Sequence, residues 1–139
     1  MKTIKIKTYR LNSQTTSLHF FILSKGYNAG KPLEKPCPNC FIIEAKCLAE
    51  KSKLYWICYS LWKSGAYLPF LCGSVIPFLH ISDASSRIEL ALQNVDVYLP
   101  NFDKGVYTLQ QLMQLERTLE LQLKIIAELK ATTAKKLLS

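Results

Sequence analysis

The order of hydrophobic periods in this sequence predicts an α+β fold: a mixed sheet, one or two packed helices and a long projecting C-terminal helix. Residues up to about 49 show strand-like apolar runs, the stretch from Lys53 switches to helical spacing, and no Pro or Gly interrupts the chain from Thr108 to its end. A chain of 139 residues, 49% apolar and 20% charged, can bury roughly two-thirds of its unfolded surface without disulfide staples. Residues 1–100 read as one globular body, and 101–139 as a helix for packing or dimerisation.

Thr3–Leu11 begins with Ile4 and Ile6 alternating with Lys5 and Lys7, the period of a half-buried strand. The parity then shifts to Tyr9 and Leu11, which predicts a bulge near Thr8. Residues 17–24, SLHFFILS, are apolar on both faces after Leu18 and read as a central strand. Residues 40–49 place Phe41, Ile43, Ala45 and Cys47 on one strand face, and the charged run EKSK that follows reads as a turn. From Lys53, Leu54, Ile57, Cys58 and Leu61 recur at helical spacing, widened by Tyr55, Tyr59 and Trp62, up to Gly65. Residues 73–82 return to strand character. Asp83 reads as the cap of a short helix through Leu92, and NVDVYLP as a last strand ending at Pro100. After the turn NFDKG, Thr108 is placed to cap the final helix, with apolar groups at Leu112, Leu115, Leu119, Ile126, Leu129 and Leu137.

Charge is unevenly spread over the net +8. Residues 1–35 hold seven basic side chains against Glu34 alone, whereas residues 54–100 are nearly neutral. A basic edge on a neutral body suits a polyanion, because phosphate contacts supply most nonspecific affinity for nucleic acid. Lysines that only confer solubility are the competing explanation. The N-terminus MKTIKIKTYRL lacks the continuous apolar core of a secretory signal, and five cysteines without framework spacing fit a reducing compartment, so a cytoplasmic location is expected. The uncharged stretch Ser64–Ser82 approaches the length of a membrane span, but its interior prolines, Pro69 and Pro77, favour buried protein structure over a bilayer helix.

Two motifs in SKGYNAGKPLEKPCPNCF invite a chemical reading. A phosphate-cradling loop needs four residues between its glycines and a hydroxyl after the lysine, so that backbone amides surround the phosphates and the hydroxyl holds magnesium. Here only three residues separate Gly26 from Gly30, and Pro32 stands in the hydroxyl position, so these glycines read as turn residues with Tyr27 and Asn28 at the tip. Cys37 and Cys40 have the spacing that puts two thiolates on one zinc ion, but no second close pair completes the site. The sequence therefore predicts no resident metal, with Cys37 and Cys40 the only candidates for one, and no cofactor. His19 and His80 each lie in an apolar run and read as buried, leaving no evident general base and no catalytic residue.

From Leu54 onward, LYWICYSLWKSGAYLPFLCGSVIPFLHIS resembles the end of a target recognition domain of type I restriction–modification specificity subunits. The aromatic helix ending near Lys-Ser, the Gly-Ser-x-Ile-Pro segment, the short helix, the exit at Leu99-Pro100 and the long Gln- and Glu-bearing helix follow in that family's order over residues 54–137. Residues 1–50 do not match it, and the second body and any methyltransferase or nuclease motif are missing. The resemblance implies a diverged relative, of the kind found among small bacterial proteins of mobile elements. It further implies a DNA-reading body whose helix packs as a coiled coil against another helix.

Together these readings predict a non-enzymatic module that binds double-stranded DNA. Lys5, Lys7, Arg10, Lys25, Lys31 and Lys35 would hold phosphates, and Tyr27 and Asn28 would reach bases. Leu112, Leu115, Leu119, Ile126 and Leu129 would carry a homodimer or partner helix, with no membrane role. The alternative is a protein-interaction adaptor without nucleic acid, with or without a structural zinc at Cys37 and Cys40.

Overall fold

A computed structural model describes residues 3–13 and 18–139. The α+β class holds. Four strands, β1 (Lys5–Thr8), β2 (His19–Leu23), β3 (Pro32–Leu33) and β4 (Cys40–Glu44), form a sheet in the order β1-β4-β2-β3. The sheet expected to be mixed is antiparallel at every pairing. Ser17 of the central-strand expectation lies outside the described residues.

The register gives the sheet two unlike faces. Phe21 stands opposite both Leu33 and Ile42, and Ile42 stands opposite Lys7, so these four share one face. Phe21, Cys40 and Ile42 are buried there under Tyr9, Leu33 and Cys37. Phe20, Ile22, Phe41 and Ile43 point to the other face and are buried under helices α1 (Leu48–Lys63) and α2 (Ile81–Val97). The helices contribute Leu54, Ile57, Cys58, Ala84, Ile88 and Leu92 to this main core, and the Phe20 ring meets Tyr55 edge-on at 5.7 Å. Lys53 of α1 pairs with Asp96 of α2, and the Glu89 carboxylate accepts the Ile4 amide at 3.3 Å, tying α2 to the β1 edge.

Several boundaries differ from the sequence expectation for local reasons. The charged run after residue 49 is the first turn and more of α1: Glu50 reaches back to accept the Lys46 amide at 2.8 Å, and the half-buried Lys51 and Lys53 find Glu34 and Asp96. Residues 73–82 form no strand. They make a tight loop closed by reciprocal bonds between Cys72 and Phe78, at 2.9 and 2.8 Å, and helix begins at Ile81. Asp83 consequently lies in the first turn of α2 rather than capping it, and NVDV continues that helix to Val97 instead of forming a strand.

Tyr98 leaves helical geometry, and α3 (Leu99–Leu137) follows it. Pro100 sits in the first turn, where a missing amide costs nothing, and Gly105 is accommodated inside the helix. Thr108 is therefore an interior residue whose hydroxyl donates back to the Lys104 carbonyl at 3.1 Å. At 1.5 Å per residue α3 is about 58 Å long. The chain divides into two compact units, 1–97 and 98–139. No helix among the described residues is long and apolar enough to cross a membrane.

Candidate nucleic-acid interface

The loop between β2 and β3 is held at both ends by backbone bonds. Gly30 donates to the Leu23 carbonyl at 2.6 Å and Leu23 to that of Lys31 at 3.0 Å, which closes the hairpin, while Gly26 donates to Pro77 at 2.7 Å. Gly26 and Gly30 both take positive φ, +88° and +95°, a region that other residues enter at a cost. The loop therefore presents Lys25, Tyr27, Asn28 and Lys31 from a fixed turn, with Tyr27 77% exposed at its tip.

The last turn of α1 lies beside this loop. Trp62 Nε1 donates to Asn28 Oδ1 at 3.3 Å, and the Lys31 and Lys63 ammonium groups lie 5.4 and 4.7 Å from the centre of the Trp62 ring. Both distances are within the range of a cation–π attraction. Trp62 also ends a run of edge-on rings along α1, from Trp56 through Tyr59, with centroids 5.3 and 5.6 Å apart. Two cations, an indole and an amide thus meet on one surface.

The sequence-predicted basic residues do not form a single patch. Lys25, Tyr27, Asn28 and Lys31 are gathered at the β3 side, and Lys35 follows on the next loop. Lys5 and Lys7 belong to β1, the opposite edge of the sheet, about 14 Å away at the usual strand spacing. Lys7 is also engaged by Glu44 at 3.2 Å. Arg10 is exposed just beyond β1, where its amide donates to Ser13 Oγ at 2.8 Å. Trp62 and Lys63, which complete the patch, were not among the predicted contacts, because nothing local in the sequence ties residue 31 to residue 62.

The floor of the loop is Tyr67, whose ring lies where a Gly30 side chain would project. It is only 2% exposed, and its hydroxyl has no hydrogen-bond partner among the described residues. Burial pushes this phenol well above its ordinary range, and the adjacent Cys58 thiol acts in the same direction. A buried unpaired hydroxyl costs about 1–3 kcal/mol. Tyr67→Phe is accordingly expected to stabilise the protein by about 1 kcal/mol, read as a thermal midpoint several degrees higher. A lower midpoint would mean that the hydroxyl has a partner after all.

Cys37 and Cys40 turn their thiols toward backbone carbonyls. Cys40 Sγ donates to the Cys37 carbonyl at 3.1 Å, and burial holds its thiol protonated, its pKa raised to about 11. Among the described residues no group of three or more His, Cys, Asp or Glu converges as a metal site. The histidines depart from expectation: His80 is exposed against Phe78, and His19 is half-buried against Phe21. An apolar run did not suffice to bury them: His80 immediately precedes α2, and His19 is the first residue of β2.

On α3 the predicted partner residues Leu112, Leu115, Leu119, Ile126 and Leu129 are each more than half exposed, and no residue of this helix is buried. The chain belongs to a family of unknown function, DUF6943, whose model matches residues 6–136. No curated protein and no solved structure matches it significantly.

Proposed function

We propose that this member of a family of unknown function is a non-enzymatic module that binds double-stranded DNA through the β2–β3 loop and the end of α1, and docks on another helix through α3. The observation that carries the reading is the convergence of Lys31 and Lys63 on Trp62, beside exposed Lys25 and Tyr27. Lysines there neutralise phosphates, while Tyr27 and the amide hydrogens of Asn28 are the groups suited to bases. Residues 1–97 supply the field, with twelve basic side chains against six acidic ones. The resemblance of residues 54–137 to a target recognition domain points the same way, toward a DNA-modifying complex as the setting.

The test is a titration of a random-sequence duplex followed by fluorescence anisotropy at two salt concentrations. Affinity is expected to fall steeply with salt, and the combined Lys31→Ala and Lys63→Ala variant to lower the log–log slope by about 2. Indifference to duplex at low salt would reject the reading. It would favour a protein-interaction adaptor, which the exposed apolar stripe of α3 supports by itself.

A further inference from the structure

We infer that the occupant of the α3 face is a second copy of this chain, paired antiparallel in a single register centred near residue 124. The inference rests on the reading of α3 as a docking helix and is independent of DNA binding. Leu112, Leu115, Leu119, Gln122, Ile126, Leu129 and Thr133 follow alternating steps of three and four residues, the spacing of a coiled-coil seam. All of them are exposed, and nothing within the unit 98–139 covers the seam. Flanking it on one side are Glu116, Leu123 and Lys130, and on the other Thr118, Ile125 and Thr132.

These flanks distinguish the two orientations. In an antiparallel pair centred there the seam layers match Leu119 with Leu129 of the second copy, Ile126 with Gln122, Leu115 with Thr133, and Leu112 with the aliphatic stem of Lys136. The same register sets Glu116 beside Lys130 of the second copy at both ends, Leu123 beside Leu123 and Ile125 beside Ile125. Charges meet opposite charges, and the extra apolar groups that make the stripe too wide for a simple two-stranded seam meet each other at the centre. A parallel pair instead sets Ile125 beside Lys130, stacks Gln122 on Gln122, and leaves Glu116 without a cation across the seam.

The surface agrees with this register. Ile126, Leu129, Lys130, Thr133, Ala134 and Leu137 line a shallow depression of about 400 Å³ on α3. Antiparallel pairing brings Leu115 and Leu119 of the second copy over it, with Glu116 opposite the lysine on its rim. The segments that this register sets together are also unlike in charge: residues 109–120 hold one basic and two acidic side chains, and residues 128–139 hold three basic and one acidic. Antiparallel pairing sets one of these segments against the other, whereas parallel pairing aligns the basic ends.

The test is sedimentation equilibrium of the full chain and of variants at exposed α3 positions, which leave the folded body intact. The wild type is expected to dimerise, and Leu119→Asp to abolish the dimer. Glu116→Lys and Lys130→Glu alone each turn two attractive pairs repulsive and are expected to weaken it about tenfold. The double variant Glu116→Lys/Lys130→Glu restores the pairs and the affinity. A dimer that responds to Leu119→Asp but is not restored by the double variant overturns the antiparallel register and leaves the docking face standing. A dimer indifferent to Leu119→Asp overturns the docking face itself, and a monomer at every concentration overturns the second copy as occupant.

Discussion

Phe20→Ala is expected to cost about 3–5 kcal/mol and to leave the protein largely unfolded at room temperature or close to it. Phe20 lies on β2, an interior strand, and is fully buried. It faces Ile43 across the β2–β4 register and meets Tyr55 of α1 edge-on, so its ring joins the sheet to the first helix. Alanine would remove that joint and leave a cavity that the flanking strands cannot close without breaking their ladder. Urea unfolding measures the loss. Val75→Ala, at a side chain 87% exposed on the loop after Gly73, is the control and should change stability by less than about 0.5 kcal/mol. Equal small effects from the two variants would show that the sheet and α1 are not packed as described.

The second large effect is expected at Gly30, where Gly30→Val should lower stability by about 3 kcal/mol and the thermal midpoint by roughly 10 °C. Two independent costs combine. A β-branched residue is strained at φ +95°, and even a single added carbon would overlap the Tyr67 ring, which is buried and cannot swing into solvent. The two costs can be separated by Gly30→Ala made with and without Tyr67→Ala. The overlap vanishes in the second background while the backbone strain remains, so the cost of Gly30→Ala should shrink without disappearing. An unchanged midpoint for Gly30→Val would mean that the loop is not seated on Tyr67. In that case the placement of Lys31 beside Trp62 would lose its structural basis.

How far the sequence reaches is clearest at particular residues. Alternation of Ile4 and Ile6 with lysines, and the doubly apolar run at Phe20–Leu23, located β1 and β2, because burial on one face or two leaves a direct trace in the letters. The stripe of Leu54, Ile57 and Cys58 located α1 for the same reason. The expectation failed where local signals compete with tertiary ones. Residues 73–82 are apolar enough for a strand, yet no neighbouring edge receives them beyond the single bridges of Phe78 to Lys25 and Cys72. Pro100 and Gly105 resemble a break, but a proline in a first turn starts a helix as readily as it ends one.

The candidate site shows the same division. Two glycines and a lysine-flanked tip marked the 26–30 loop as a turn, and its positive φ angles follow from residue type. The amino-acid order by itself determined the α+β class, the basic bias of the body, the turn and the exposed leucine stripe of α3, because each depends on periodicity, composition or local backbone preference. Only the tertiary structure decided that Lys31 and Lys63 share the Trp62 ring, that Lys5 and Lys7 sit at the far edge of the sheet, and that Tyr67 underlies Gly30. The physical reason is that strand order and helix placement bring together residues thirty or more positions apart, and no local period records which of them will meet.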